Sequence, residues 1–362
     1  MKVSGLQVFW MIAVMDLGMT LLMTMTAALQ GAKQDAWIAM IAAGLVALLI
    51  ALISTKLALL YPDQTLVEFS QTIMGKWIGK VIVIVYTVQW YTIIPIVLRQ
   101  FTDLIESLLL QDTPRLPIMI IMIALTVYVT YSGGIEGIAR CSEFLGPLII
   151  LMVLVVLGGN LNNIQIKNVL PIYADSGMAG IMKGSLGPAS YLGHAVEFVM
   201  LTPFLTNPRK ASKYAVWGVI VPSLFVVLSM VMVILTVGPN VAMKAWYPFF
   251  EMTKEISLGF VENLDALAVV IWISSVFIKL SIYMFVTSYG TAQLLKVKNW
   301  RNLIWFIAPI TLAFAFMPRN VTEATNHYLL NYWVPVVLPV NMIGLPLLLL
   351  LIGKRKKAAE KS

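Results

Sequence analysis

From Leu6 to Ile352 the chain is a succession of ten long apolar stretches joined by short polar connections. No other feature restricts the fold as tightly. An α-helix needs about 20 residues to cross the hydrocarbon core of a bilayer. The stretches at 6–29, 36–60, 81–109, 116–132, 143–159, 186–205, 212–237, 264–292, 302–318 and 332–352 meet or approach that length. Sixty per cent of the 362 residues are hydrophobic and 12 per cent are charged, against about a quarter charged in soluble domains. Lipid must therefore solvate most of the surface. Backbone polar groups in lipid have to be satisfied within their own segment, and continuously apolar runs do not suit the alternating strands of a barrel. The predicted fold class is all-α integral membrane, with ten transmembrane helices.

Two of the ten stretches are interrupted where a membrane helix should be strongest. The first carries Asp16-Leu17-Gly18 in its middle, and the sixth opens Gly184-Ser185-Leu186-Gly187-Pro188 and continues through Gly193-His194 to Glu197. Interruptions at matching places predict a 5+5 inverted repeat with discontinuous helices 1 and 6 and a ligand site between them at mid-membrane. On this reading residues 1–362 form one membrane domain. Repeat one covers 1–159, a linker 160–180, repeat two 181–352 and a basic tail 353–362.

The distribution of charge supports a membrane role over a nucleic-acid one. With the N-terminus inside, 16 of the 25 Lys and Arg fall on one face and seven on the other, while Arg99 and Lys279 lie within spans. The positive-inside rule then places both termini in the cytoplasm. The basic tail becomes a topology anchor in contact with anionic lipid. The first span is too long for a cleaved signal peptide and leads straight into a second. A single cysteine, Cys141, allows no internal disulfide. The sequence has no Cys/His cluster with metal spacing, P-loop, GxSxG or nucleotide fingerprint. It points to no catalytic residue, metal or cofactor.

Three connections carry readable patterns. Leu66, Phe69, Ile73 and Trp77 recur at helical spacing, predicting a short amphipathic helix over 63–80. Residues 133–143, with Gly133-Gly134, Glu136, Arg140 and Glu143, read as a cytoplasmic turn. Trp246-Tyr247-Pro248-Phe249-Phe250, within 238–263, reads as an interfacial helix with its rings at headgroup level.

The polar residues inside the spans carry the functional reading. Asp16 lies near the bilayer centre, where a charge costs roughly 2.5–3.5 kcal/mol on insertion scales. It serves either as a protonated acid bonded to a neighbouring helix or as a ligand or cation group, with Gly18 permitting close backbone approach. Lys279, midway along span eight, can replace a coupling sodium ion, receive a substrate carboxylate or carry a coupling proton. Asp16 is its natural counter-charge if spans one and eight adjoin. Arg99 and Asp103 share one helix face in span three and neutralise each other; with Glu106 they read as structural. Glu197 is expected to support the break in span six, beside Gly193 and His194, by accepting freed backbone N–H groups. Trp90, Tyr91, Phe198 and Tyr283 can wall the same cavity.

Four stretches carry a resemblance that runs over the whole length. They are Leu66-Val67-Glu68-Phe69 with Ile73-Met74-Gly75-Lys76-Trp77-Ile78-Gly79; Asn168-Val169-Leu170-Pro171 before Gly180 and Gly184; Glu197-Phe198 with Thr202-Pro203-Phe204 and Asn207-Pro208-Arg209-Lys210; and Ile256-Ser257-Leu258-Gly259-Phe260-Val261-Glu262-Asn263-Leu264-Asp265-Ala266-Leu267. With them the chain resembles the B subunits of spore nutrient-germinant receptors, a branch of the amino acid–polyamine–organocation transporter superfamily with the LeuT-like fold. The resemblance implies a receptor in the inner membrane of the dormant spore. It would bind an amino acid or similar nutrient and act with A and C subunits. Carried over by position, it implies ligand contacts at Gly18, Tyr91, Pro95, Phe198, Lys279 and Tyr283. The chain departs from the family where a glycine-rich break in span one is usually followed by proline, since Thr20 and Met25 stand there, and in carrying Asp16 and Lys279. A proton-coupled amino-acid transporter is the alternative reading.

Overall fold

The computed structural model describes residues 2–258, 261–262 and 264–360. Gly259, Phe260 and Asn263 of the fourth stretch, and Lys361 of the tail, lie outside the described residues. The protein is a bundle of α-helices. A two-residue antiparallel ladder pairs Ser257 with Glu262 and Leu258 with Val261.

The opening pair is α1 (Gly5–Met23) and α2 (Met25–Ala32). Ser4 caps α1 in a capping box with Gln7, satisfying two backbone donors that the helix start leaves free. Contrary to the sequence reading, α1 runs unbroken through Asp16-Leu17-Gly18, and the discontinuity falls at Thr24. The hydroxyls show why. Thr20 Oγ1 donates to the Asp16 carbonyl at 2.6 Å, and Thr24 Oγ1 donates to the Thr20 carbonyl at 2.8 Å. Such back-bonding competes for helical carbonyls and bends the segment nearly two turns later than its glycine suggests.

Next come α3 (Ala36–Ala58), the interfacial α4 (Leu66–Met74) and α5 (Lys76–Leu108). Thr65 and Glu68 form a capping box at the start of α4, and Gly75, at φ 81°, ends it. The amphipathic helix is therefore shorter than expected. Leu66, Phe69 and Ile73 are buried, whereas Trp77 belongs to α5 and is 81% exposed. The 45-residue α6 (Arg115–Gly159) holds both the fourth and fifth predicted spans. Straight, it would reach about 68 Å, over twice the ~30 Å hydrocarbon thickness. Gly134, at φ 55°, divides it in a conformation that costs other residues dearly. The expected turn at 133–143 thus shrinks to one glycine, and Glu136 and Arg140 pair at 2.9 Å on resumed helix.

The sixth span is α7 (Gly177–Leu192), a 3-10 turn (Gly193–Glu197), the single-turn α8 (Phe198–Leu201) and a second 3-10 turn (Thr202–Phe204). Its break falls at Gly193–Glu197, the later part of the interruption read from the sequence, whereas residues 184–188 stay helical. The earlier glycines bring backbones together instead. A Cβ on Gly184 would stand 2.9 Å from the Ala28 carbonyl, and one on Gly31 would stand 2.7 Å from Gly184 Cα. Small residues four apart allow such close crossing in membranes. The linker before α7 is pinned by Asp35, whose carboxylate accepts the Tyr173 N–H at 2.9 Å and the Ser176 hydroxyl.

The chain continues through α9 (Pro208–Thr236), α10 (Pro239–Ala242), α11 (Pro248–Lys254), α12 (Asp265–Leu295) and α13 (Arg301–Ala315). Two π-wound segments, Glu323–His327 and Leu329–Gly344, lead into α14 (Leu345–Ala359). Pro335 and Pro339 remove regular helical donors and clash with the preceding turn, which favours the wider winding. Phe249 and Phe250 are buried rather than laid at the interface, whereas Trp246 is exposed. Among the described residues, seven helical runs are long and apolar enough to cross a membrane, and α13 is a shorter apolar helix. Helices α1 and α12 lie at the centre, 78% and 83% buried over their apolar windows. Small polar residues on both faces of α12 suit packing against protein rather than lipid.

In the tail, Lys356 Nζ donates to the Thr72 carbonyl at 2.6 Å and Lys357 Nζ to the Leu60 carbonyl. These lysines satisfy backbone in α4 and just past the end of α3 as well as carrying the charge expected of a topology anchor.

Candidate functional site

Three ionisable side chains converge where the two discontinuous spans face α12. Asp16 comes from α1, Glu197 from the 3-10 turn and Lys279 from α12, and they are 0%, 2% and 1% exposed. Helices α1 and α12 do adjoin. A close approach at Gly18 makes this possible, for a Cβ there would run into the Ser275 side chain and stand 3.1 Å from the Ile271 carbonyl. Gly18 therefore serves a helix crossing rather than an unwound segment.

Glu197 is the hub of a buried network. Its Oε2 accepts Trp90 Nε1–H at 3.0 Å, and its Oε1 accepts the Tyr283 hydroxyl at 3.2 Å and Gln89 Nε2 at 3.4 Å. The sequence reading gave Glu197 freed backbone N–H groups to accept; side chains from α5 and α12 take that place. The Tyr283 hydroxyl also lies 2.5 Å from His194 Nδ1. A phenol that gives its hydrogen to Glu197 leaves its oxygen to accept, so His194 is the donor with Nδ1 protonated. The network extends outward, with Asn341 Nδ2 donating to Gln89 Oε1 at 2.6 Å and Tyr86 donating to the Asn341 carbonyl at 2.6 Å. One carboxyl group thus joins three elements, and Gln89 and Tyr86 tie a fourth to them through Asn341.

Lys279 and Asp16 stand apart from this network. Lys279 Nζ has no hydrogen-bond partner and lies 5.0 Å from the centroid of the Tyr191 ring, a cation–π placement. Both Asp16 carboxyl oxygens and Ser275 Oγ also lack a protein partner. Among the described residues no ion pair joins Asp16 to Lys279, although Lys279 lies within electrostatic reach of Asp16 and Glu197. A buried group without a partner costs more than a paired one. This arrangement suits a site completed by something that binds.

A 10 Å³ chamber lies against Lys279, walled also by His194, Gln100, Tyr191, Tyr328 and Trp333. Trp333 Nε1 donates to the Ser190 carbonyl at 3.2 Å, and Gln100 Nε2 donates to the Tyr191 hydroxyl at 3.2 Å. The structure brings Asp16, Gly18, Gly193, His194, Glu197, Lys279 and Tyr283 to this centre. Phe198 is buried just past the 3-10 turn, and its carbonyl accepts the Thr202 hydroxyl at 2.8 Å. Tyr91 and Pro95 lie elsewhere, on a 320 Å³ groove between α5 and α13. Sequence reading passed over Gln89, Gln100, Tyr191, Tyr328, Trp333 and Asn341. Gln89, Gln100 and Asn341 were the findable ones, as uncharged polar residues inside apolar spans.

Outside the centre, Arg99 Nε and Asp103 Oδ1 pair at 2.8 Å, and Arg115 bonds Glu106 at 2.5 Å. The trio has the structural form anticipated for it, with Arg115 added.

The profile of a family described as "Spore germination protein" matches residues 2–324. The chain belongs to that family. Spore germination protein YndE of Bacillus subtilis (strain 168) is 26% identical over 335 residues, covering 92% of this chain and 90% of the relative. Spore germination protein KB of the same organism is 26% identical over 376 residues, 100% and 97% of the two chains. Spore germination protein XB of Bacillus anthracis is 26% identical over 70% of this chain and 71% of its own length. Among solved structures, the nucleobase-cation-symport-1 family transporter Mhp1 superposes with a TM-score of 0.65 at 13% identity, covering 91% of this chain and 74% of that one. MhsT in complex with L-phenylalanine gives 0.61 at 12%, over 98% and 99%. At such identities the likeness shows the fold alone. The fold is the all-helical LeuT-like one, in a multi-pass membrane protein of the spore germination family.

Proposed function

We propose that this protein is the B-type subunit of a nutrient-germinant receptor, which binds a small nutrient at mid-membrane and triggers germination with A and C subunits. The observation that carries the reading is the unpartnered Lys279 Nζ between the two discontinuous spans, at a chamber that no carboxylate lines. A carboxylate-bearing nutrient such as an amino acid gives that lysine its missing partner. Ligand-dependent opening of the chamber then shifts the populations of two states, and the shift passes to the partner subunits. Both termini lie in the cytoplasm and the protein sits in the spore inner membrane. Membership of the spore germination family and the positive-inside distribution of charge support these placements. Repeat one, the linker, repeat two and the tail keep the boundaries read from the sequence. Binding requires no covalent chemistry, metal or cofactor.

The test uses spores carrying Lys279→Gln against a panel of nutrients, with receptor abundance checked. A dose response shifted by about tenfold at normal abundance is expected for loss of one charge-assisted contact. An unchanged dose response overturns the reading. A second reading, a proton-coupled amino-acid transporter, rests on the same lysine lying within reach of Asp16 and Glu197. Uptake of labelled amino acids into liposomes under a pH gradient favours the transporter. A germination defect without an uptake defect favours the receptor.

A further inference from the structure

The groove that holds Tyr91 and Pro95 is continuous in its walls with the Lys279 chamber. Ile96 and Tyr328 line both, and the Tyr328 hydroxyl donates to Thr92 Oγ1 at 3.1 Å across the boundary. Outward, the groove ends at Ile310, Phe314 and Met317, all exposed on the apolar flank of the bundle. Its volume of 320 Å³ is at the lower end of the roughly 300–1,000 Å³ typical of small-molecule sites. The walls are nearly all carbon, so a polar solute gains nothing there. At the inner end the chemistry reverses, for the chamber is lined by Lys279, His194 and Gln100 and by no carboxylate residue. Asp16 and Glu197 act on Lys279 without lining that space.

Tyr328, the septum, is the one residue between the two π-wound segments. Such winding recurs at functional sites and holds an element that can rewind. A rewinding there would swing the ring off Thr92 and join the two spaces.

We infer that groove and chamber are two halves of one laterally opening site, closed at Tyr328, which admits an amphiphilic monocarboxylate from the lipid with its aliphatic chain in the groove and its carboxylate at Lys279. This rests on the role given to Lys279 above and adds a route of entry, a second subsite and a ligand class with a longer apolar chain than the groove-free chamber can take. A carboxylate suits the unpartnered lysine, and an aliphatic chain leaves lipid for the groove at little cost because both surroundings are apolar.

The test measures radiolabelled decanoate binding to the full chain in nanodiscs, with decanol and decyltrimethylammonium as competitors and a labelled amino-acid panel on the same preparations. Saturable decanoate binding that decanol displaces at least about tenfold less well is expected. Lys279→Gln should remove that preference. Ile310→Trp, at an exposed position that leaves the fold intact, should block the groove and abolish decanoate binding, and Tyr328→Phe should speed association severalfold. No saturable component above empty nanodiscs, equal competition by decanol, or unchanged binding in Ile310→Trp overturns the inference. Amino-acid binding that persists while decanoate fails overturns this inference alone. Failure of both overturns the function proposed for the site as well.

Discussion

Replacing Glu197 with alanine tests whether one carboxyl group ties three elements together. In the protein it accepts from Trp90 at 3.0 Å, Tyr283 at 3.2 Å and Gln89 at 3.4 Å, all buried. Glu197→Ala orphans Trp90 Nε1 and the Gln89 Nε2 donor, whereas Gln89 Oε1 keeps Asn341 and Tyr283 keeps its contact with His194. A buried donor left unpaired costs about 1–3 kcal/mol, so two strong losses and one weak one come to about 3–5 kcal/mol. That is a large part of the ~5–15 kcal/mol that holds a typical protein folded. Glu197→Gln keeps one carbonyl acceptor in place and sets its NH₂ against a donor, for about 1–2 kcal/mol. At about 2 °C per kcal/mol for a chain of this size, loss of the monodisperse peak on heating in nanodiscs should shift by about 6–10 °C for alanine and about 2–4 °C for glutamine. Equal shifts for the two variants, or an alanine variant within about 2 °C of the parent, would refute the hub assignment.

Four further outcomes rest on particular contacts. Gly184→Leu should lower the yield of folded protein severely, because the added side chain meets Ala28 and Ala32 where α2 and α7 touch. Gly133→Ala, with open space around the new methyl, should be neutral or stabilise by up to about 1 kcal/mol, as thermal stability in nanodiscs would register. Thr65→Ala should cost about 1 kcal/mol through the lost capping box on α4, visible as faster amide exchange over 65–74. Removing residues 354–362 should raise exchange over 60–74 as well, because Lys356 and Lys357 bond the Thr72 and Leu60 carbonyls; unchanged exchange would return the tail to an electrostatic role only.

Much of the site was legible because charge inside a membrane span is rare. Asp16, Lys279 and Glu197 announce themselves against apolar neighbours, and all three reach the centre. The break in span one was misplaced, and that in span six drawn too long, because glycine was read as a mark of unwinding. At Gly18 and Gly184 it marks a backbone crossing, and one chain alone does not distinguish those uses. Tyr91 and Pro95, placed by resemblance at the ligand, line the lateral groove, since neighbouring turns of α5 face different spaces. Trp90, next in sequence to Tyr91, reaches Glu197 instead.

By itself the sequence determined the solvent, the helical class and the buried charges that demand an explanation. All of these depend on local composition, which lipid reads residue by residue. The tertiary structure decided where the crossing helices bend, which donors meet Glu197 and that Lys279 and Asp16 remain unpaired. Those outcomes depend on the rotation and closeness of helices far apart in the chain, and a rotation of one helix by a single residue's angle would exchange every partner at the centre.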